Sequence, residues 1–211
     1  MSIFLEENKK LNLSALRTPE LCWPGNILDS LALLEMLPFF SPMQKILDLG
    51  TGGGFPLLPL AVCLPLISFV GLDATKKKID AVQRIVDQLH LPNVTLICER
   101  AETAGHDKKF REAFDIVTSR AVAPISALLE YCSAFVQPKG QVILWKSMHI
   151  DEELQASFRG CAEFSCHLMT RHRYTLGGDW GDRQLLIFQK ASKLSSKYPR
   201  AVGVPTKDPL I

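Results

Sequence analysis

The sequence predicts one α/β domain built on a seven-stranded, mostly parallel sheet that an antiparallel C-terminal hairpin completes. Two observations point to this fold class. From residue 45 onward, short β-rich segments alternate with helical patterns, and two β-rich segments then follow one another near the C-terminus. A chain of 211 residues suffices for one such domain with modest extensions.

Five strands are expected in the parallel part of the sheet. Apolar and β-branched residues mark each of them, and turn residues or helical patterns separate them. A Pro-Lys-Gly turn at 138–140 is expected to precede the last of the five. The predicted bounds are Lys45–Leu49, Ile67–Leu72, Val94–Cys98, Phe114–Thr118 and Gln141–Trp145.

Helices are predicted between and after these strands. Apolar residues recur at helical spacing within Thr75–Leu89, which gives that helix one core-facing stripe, and Pro124–Phe135 reads as another helix. A further helix is expected over Asp151–Cys161. The strands Glu163–Tyr174 and Arg183–Gln189 would then form the hairpin, joined by a glycine-rich loop.

Three regions are expected along the chain. Residues 1–42 form a short N-terminal extension, packed on the core through a helix over Ile27–Leu37. Residues 43–190 form the main domain, and residues 191–211 form a basic tail with four Lys or Arg side chains against Asp208. Such a tail is either a clamp for RNA phosphates or an ordinary disordered terminus.

Composition and charge restrict the class of protein. The 24 basic and 22 acidic side chains leave a net charge of +2, so evidence for a nucleic-acid partner must come from local clusters. The six cysteines form no CxxC pair, which favours free thiols in a reducing compartment and a cytoplasmic protein. Prolines interrupt the one long apolar stretch, Phe55–Leu72, so no membrane span is expected. The histidines have no metal-ligand spacing, and no metal is predicted.

A glycine-rich segment, LDLGTGGGFP at 47–56, carries the strongest functional signal. Glycines between a strand and a helix let the backbone turn sharply and approach a ligand closely. A dinucleotide site would need GxGxxG, but Phe55 occupies the position of the third glycine. The pattern Asp48-x-Gly50-x-Gly52-x-Gly54 instead resembles motif I of the Rossmann-like class I methyltransferases, whose cofactor is S-adenosyl-L-methionine.

Asp73 follows the second predicted strand, where an acidic side chain can accept hydrogen bonds from ribose hydroxyls in folds of this kind. The residues after the fourth strand bear on the methyl acceptor. The run Thr118-Ser119-Arg120-Ala121 lacks both the Asn/Asp-Pro-Pro-Tyr pattern typical of amine methylation and the cysteine needed at cytosine C5. Guanine N7 needs no general base, so proximity and alignment would suffice, although the sequence does not require this acceptor.

Basic residues lie at the same predicted sheet edge. Arg100, Arg120 and Lys146 follow carboxyl ends of strands, the edge where open α/β sheets bind ligands, although each could instead form a surface ion pair. The run of lysines at 76–78 opens a helix, where positive charge opposes the helix dipole. An RNA phosphate would relieve that opposition, and a solvated charge run is the alternative. Phe55 and the tryptophans 145 and 180 could stack on a base or pack in the core.

The chain resembles the RsmG (GidB) family of bacterial 16S rRNA methyltransferases, which modify N7 of a guanine in the 530 loop of the small subunit. The resemblance covers nearly the whole chain, with motifs in the family's order. They are Lys10–Ser14, Asn26–Ser30, Asp48–Pro56, Asp73 with Lys77-Lys78, Arg100–Glu102, Phe114-Asp115 through Ser119–Ala121, Trp145-Lys146, Lys197–Arg200 and Gly203–Pro205.

The resemblance implies S-adenosylmethionine as cofactor and 16S rRNA or the small ribosomal subunit as partner. We expect a monomer, with Arg120 and Lys146 as catalytic residues. The expected RNA contacts are Lys77, Lys78, Arg100 and Lys146. The expected cofactor contacts are Asp48, Gly50, Gly52, Gly54, Phe55, Asp73, Ala101, Glu102 and Arg120.

Three departures from the family pattern are present. Gly25-Asn26 replaces a usual Arg-His pair, Ser147 replaces the glycine after Lys146, and the helices that usually precede the first motif are almost absent. The alternatives are therefore a methyltransferase for another RNA or a small molecule, and a cofactor-binding module without catalysis.

Overall fold

A seven-stranded sheet with the order β3-β2-β1-β4-β5-β7-β6 forms the centre of the protein. The structure is a computed structural model and describes residues 1–39, 41–120 and 123–211. Strands β1 to β5 are parallel, whereas β7 runs antiparallel to both of its neighbours, which confirms the predicted fold class. The strands are β1 Lys45–Leu49, β2 Ser68–Asp73, β3 Val94–Cys98, β4 Phe114–Ser119, β5 Val136–Ser147, β6 Cys166–Thr175 and β7 Asp182–Lys190.

Helices cover both faces of the sheet, which explains why the central strands are apolar almost throughout. One core contains residues from α7 and the tail, and the other contains residues from α1, α4 and α5. The helices are α1 Ser2–Lys10, α2 Pro19–Cys22, α3 Asp29–Leu31, α4 Leu57–Cys63, α5 Lys76–Leu89, α6 Ala101–Ala104, α7 Ile125–Phe135, α8 Asp151–Ala156, α9 Phe158–Glu163 and α10 Val204–Lys207.

Strand β5 begins five residues earlier than predicted, because the expected turn at 138–140 lies inside the strand. Lys139 has a φ of 72°, and the register with β4 shifts beside it, between Phe114 and Ile116. A Cβ at Gly140 would lie 2.6 Å from the carbonyl oxygen of Asp115. The turn residues therefore form an irregularity within the ladder.

The helix predicted over Asp151–Cys161 is two helices, α8 and α9. They are separated at Ser157, whose buried hydroxyl donates a 2.7 Å hydrogen bond to the carbonyl of Leu154. Such side-chain bonds compete with the regular helical pattern. The hairpin strand β6 accordingly begins at Cys166 rather than at Glu163.

The N-terminal region contains more helix than predicted. Helix α1 was not predicted, and the expected helix over Ile27–Leu37 is part of a helical segment over residues 19–39. That segment is irregular: a π-helical turn, Trp23–Leu28, separates α2 from α3, and a 3₁₀ segment, Ala32–Phe39, follows. Among the residues that the structure describes, no helix has the length and apolar character needed to cross a membrane.

The C-terminal tail lies against the main domain. Arg111 donates hydrogen bonds to the carbonyl oxygens of Leu194, Ser195 and Tyr198 at 2.8–3.2 Å. Arg200 donates to both carboxylate oxygens of Glu130, a fully buried residue of α7. These contacts hold residues 191–211 on the face of the sheet that α7 covers.

Candidate functional site

The glycine-rich loop between β1 and α4 lies at the carboxyl edge of the sheet. The amides of Gly50 and Thr51 donate to the carbonyl of Leu72 at 2.8 and 3.1 Å, which fixes the loop beside the end of β2. Gly52 has a φ of 55° and Gly54 a φ of 88°, which side chains rarely adopt. A Cβ at Gly54 would also lie within 2.8 Å of the Leu58 side chain.

Asp73 connects this loop to the end of β2. Its Oδ2 accepts a 3.0 Å hydrogen bond from the amide of Gly52, and its Oδ1 accepts one of 2.8 Å from the amide of Thr75. A carboxylate oxygen can accept a second hydrogen bond. Asp73 is therefore held in one orientation and still has acceptor capacity for a ligand.

Two hollows meet at Gly50 and Asp73. The first hollow lies at the ends of β2 and β3, against α6 and α7, and has a volume of about 240 Å³. It is lined by Leu49, Gly50, Leu72, Asp73, Ala74, Glu99, Arg100, Ala101, Glu102, Ala123, Leu128 and Tyr131. The second hollow, of about 340 Å³, lies under the N-terminal region. It is lined by Leu13, Ser14, Asn26, Gly50, Thr51, Gly52, Gly53, Phe55, Asp73, Lys78 and Arg120.

Asp48 lies beneath the glycine-rich loop and lines neither hollow. Its carboxylate is buried; Oδ1 accepts a 2.9 Å hydrogen bond from Thr118, and Oδ2 has no partner among the described residues. Burial raises the pKa of Asp48 to about 6, while Thr118 and the positive charge of Arg120 act in the opposite direction. Asp48 is thus placed to support the loop from below.

Glu102 and Tyr131 join the first hollow to the C-terminal tail. The buried Glu102 accepts hydrogen bonds from the amide of Gly203 at 2.8 Å and from the Tyr131 hydroxyl at 3.3 Å. The Tyr131 hydroxyl also lies 3.0 Å from Oγ1 of Thr206. One wall of the first hollow therefore depends on contacts with the tail.

Arg120 connects the end of β4 to the N-terminal helical segment. Its guanidinium donates to Gly25 O at 3.0 Å, Asp29 Oδ2 at 2.8 Å and Asn26 Oδ1 at 3.0 Å. The guanidinium carbon also lies 5.5 Å from the centre of the Phe55 ring, within cation–π range. Arg120 thereby holds the N-terminal segment over the second hollow.

A third hollow, of about 250 Å³, lies beyond Arg120 at the ends of β5 and β6. Lys146 lines it and donates to Glu153 at 2.7 Å and to the Ala123 carbonyl at 3.0 Å, so its charge is paired. The indole of Trp145 is 6% exposed and donates to the carbonyl of Asp29 at 2.7 Å, so this ring is mainly part of the core. The lining residues are Gly25, Asp29, Arg120, Trp145, Lys146, Ser147, Tyr174 and Arg183.

The other cations predicted to bind RNA do not line the third hollow. Arg100 lines the first hollow and Lys78 the second, whereas Lys77 is exposed and lines neither. Lys76 forms an ion pair with Asp80 along α5. Arg100, Lys78 and Lys146 thus line three different hollows rather than one common cluster.

Several residues that line the hollows had no predicted role. Leu13 and Ser14 reach the second hollow from the N-terminal extension, because the Asn8 side chain accepts hydrogen bonds from both of their amides at 2.8–2.9 Å. Their presence in the motif at 10–14 was the available signal. Tyr131 also lines a hollow, but it lies on a buried helix, α7, and had no predicted role. Ala121, which belongs to the run after β4, lies outside the described residues. Within the described residues, no cluster of three or more His, Cys, Asp or Glu side chains could hold a metal ion.

Comparisons with known proteins show the family and the fold of the chain. Residues 1–174 match the GidB family, described as rRNA small subunit methyltransferase G. Ribosomal RNA small subunit methyltransferase G of Carboxydothermus hydrogenoformans is 36% identical over 208 residues, which cover 99% of this chain and 88% of the relative. The protein of that name in Bacillus subtilis (strain 168) is 32% identical, with 99% and 87% covered. A SAM-dependent methyltransferase from Methanosarcina mazei shares the fold, with a TM-score of 0.56, 14% identity, and 76% and 98% of the chains covered.

Proposed function

This chain belongs to the GidB family, rRNA small subunit methyltransferase G, and we propose that it transfers a methyl group from S-adenosylmethionine to N7 of a guanine in the 530 loop of 16S rRNA. The observation that carries the proposal is the arrangement of the three hollows along one sheet edge. The first and second hollows share Gly50 and Asp73, and the second and third share Arg120. A cofactor and an acceptor can therefore lie side by side.

The first two hollows fit the two halves of S-adenosylmethionine. The cofactor supplies a methyl group on a positively charged sulfur, which makes that methyl group electrophilic. In the first hollow, Leu128 and Ala101 offer apolar contacts for a nucleobase, and Asp73 has acceptor capacity for ribose hydroxyls. In the second hollow, the positive-φ glycine Gly52 and the cation of Lys78 suit a ligand that carries a carboxylate.

The charged groups beside the third hollow favour an acceptor that needs no base. The carboxylate of Asp29 already accepts hydrogen bonds from Arg120 and Tyr174, and Lys146 is paired with Glu153. Guanine N7 carries a free lone pair, so it accepts a methyl group without first losing a proton. Residues of this site then need only hold the two reactants close together and in line.

Incubation with isotope-labelled S-adenosylmethionine tests the proposal. Small ribosomal subunits, deproteinised 16S rRNA, tRNA and bulk protein serve as separate acceptors, and the labelled nucleoside is mapped along the RNA. We expect label in 16S rRNA, at N7 of one guanine of the 530 loop. Label in tRNA or protein, and none in 16S rRNA, would favour a different acceptor.

Binding of the cofactor without transfer to any acceptor would favour a non-catalytic module. That alternative arises because Gly25-Asn26 replaces the Arg-His pair that is usual in the family. Gly25 is in close contact with the Trp180 ring, and a Cβ there would also lie 2.5 Å from Leu16. Trp180 therefore occupies space beside Gly25 that a larger side chain would need.

A further inference from the structure

Arg183 is a charged residue of the third hollow to which no role has been assigned. It lies near the start of β7, where it is in register with Ser147 of β5 and with Tyr174 of β6, and both of these residues line the hollow. Its Nε is buried and has no hydrogen-bond partner among the described residues. Buried donors in proteins are nearly always hydrogen-bonded, so an unpartnered one at a cavity wall calls for an explanation.

The charge balance of the third hollow shows what Arg183 adds. Arg120 and Asp29 form an ion pair at 2.8 Å, and Lys146 and Glu153 form another at 2.7 Å. Within the described part of the chain, no carboxylate lies within ion-pair distance of Arg183. Its charge therefore makes this end of the site positive, and an arginine fork is well suited to a phosphate group.

The position of Arg183 relative to Arg120 indicates how large the ligand is. Arg120 follows β4, and β5 separates that strand from β7. Neighbouring strands lie about 4.8 Å apart, which places the two backbone positions about 10 Å apart across the sheet. A nucleotide extends from base to phosphate over a comparable length, whereas a base alone lacks both the reach and the negative charge.

We propose, building on the function proposed above, that the third hollow binds the acceptor nucleotide with its base toward Arg120 and its phosphate at Arg183. Tyr174 contributes a neutral wall, because burial and the neighbouring Asp29 carboxylate raise the pKa of its hydroxyl. The phosphate contact adds affinity for the acceptor, and the cofactor hollows do not include Arg183.

Steady-state methyl transfer to small ribosomal subunits, together with binding of a 530-loop RNA fragment, tests this assignment. The variants are Arg183→Gln, which removes the charge, and Arg183→Lys, which keeps it. Arg173→Gln is the matched control, because Arg173 is an exposed arginine of β6 that lines no part of the hollow. Calorimetry with S-adenosylhomocysteine measures cofactor affinity in every variant.

We expect Arg183→Gln to raise the KM for the acceptor about tenfold and to leave the Kd for S-adenosylhomocysteine unchanged. The slope of log K for the RNA fragment against log salt should fall in magnitude by about 0.7, the loss of one single-strand phosphate contact. Arg183→Lys should recover part of the affinity, and Arg173→Gln should match the unmodified protein.

An acceptor KM and a salt slope unchanged in Arg183→Gln would overturn the assignment, and so would an equal loss of cofactor and acceptor binding. Failure of the proposed function looks different, since the unmodified protein would then label no site in the small-subunit RNA.

Discussion

Arg120 illustrates how much a single side chain contributes to this site. It lines both the second and the third hollow, and its guanidinium binds three groups of the N-terminal segment. Its position after a predicted strand was the signal that identified it as a site residue. Its partners Asn26 and Asp29 were not predicted, because contacts between residues more than ninety positions apart depend on tertiary packing.

Arg120→Ala should abolish methyl transfer, because the wall between the two hollows and the N-terminal segment over the cofactor both depend on it. It should also lower the free energy of unfolding by about 3 kcal/mol, since Asp29 would be left buried without its cation. Urea unfolding and label transfer measure the two effects. Arg159→Ala, at an exposed arginine of α9 that lines none of the three hollows, is the control, and near-normal turnover of Arg120→Ala would remove Arg120 from the site.

Asp48 should make the protein less stable as the pH rises, which is opposite to the effect of a carboxylate whose pKa is lowered by folding. Its pKa of about 6 in the folded state lies above the value of about 3.9 for an unfolded chain, so the folded state binds the proton more tightly. The contribution of Asp48 to the free energy of unfolding is therefore greatest at acid pH and decreases as the pH rises from about 4 to about 6. A shift of two units corresponds to about 3 kcal/mol.

Asp48→Asn should remove this dependence and unfold less readily than the unmodified protein at pH 7. Urea unfolding of both proteins between pH 4 and pH 8 measures the difference, which should become smaller toward pH 4. A constant difference across that range would show that Asp48 does not titrate there. Asp115→Asn, at a carboxylate on the same sheet outside the hollows, serves as control.

At the scale of elements, regular periodicity was a reliable guide and local polar chemistry was not. The bounds of α5 and of strands β1 to β4 were predicted to within one residue, whereas β5 begins five residues earlier than predicted. The bulge at Gly140 and the break at Ser157 were missed, because each depends on a close backbone approach or a side-chain hydrogen bond within the folded protein. The C-terminal tail was predicted to be either a clamp for RNA phosphates or an ordinary disordered terminus.

The contacts of the C-terminal tail indicate a different role, because they support one wall of the first hollow. Deletion of residues 201–211 would remove the Gly203 amide and Thr206 from Glu102 and Tyr131. Loss of a hydrogen bond to a buried carboxylate costs about 1.5–3 kcal/mol, so we expect the Kd for S-adenosylhomocysteine to rise at least tenfold. Calorimetry measures it.

Lys207→Ala is the matched variant, since it removes a tail charge and leaves Gly203 and Thr206 in place. It should bind the cofactor normally. If the deletion instead weakened only RNA binding, and Lys207→Ala did the same, the tail would be a phosphate clamp.

At the scale of the whole molecule, the fold class and the family were both predicted correctly. The alternating elements indicated the fold class, and the glycine-rich loop and the order of the motifs indicated the family. The contribution of the N-terminal extension was underestimated. Helix α1 carries few apolar residues, and it is held instead by an Arg84–Glu7 ion pair of 2.6 Å and by the edge contact of Phe4 with Phe55. Such contacts leave no periodic signal.

Cofactor binding should stabilise the entire fold, because the first two hollows are lined by residues of the N-terminal region and of the main domain, and the C-terminal tail contacts their wall at Glu102 and Tyr131. At a hundredfold excess over its Kd, a ligand adds about 2.7 kcal/mol of stability, which for a chain of this size corresponds to a rise in Tm of roughly 5–10 °C. Thermal melting with S-adenosylhomocysteine measures it. NAD is the control ligand, since Phe55 occupies the position of the third dinucleotide glycine, and an equal rise with NAD would contradict the cofactor assignment.

The position of β7 has a consequence for the nascent chain. β7 is the last strand to be synthesised, yet it lies between β5 and β6 and pairs with both. Until residues 182–190 emerge from the translating ribosome, β5 has an open apolar edge and β6 has no neighbour, a condition that invites aggregation. A chain translated from an mRNA that is truncated just before β7 should therefore be insoluble. A chain that extends through Lys190 can close the sheet, and the buried ammonium of Lys190 then binds Glu112 at 2.5 Å.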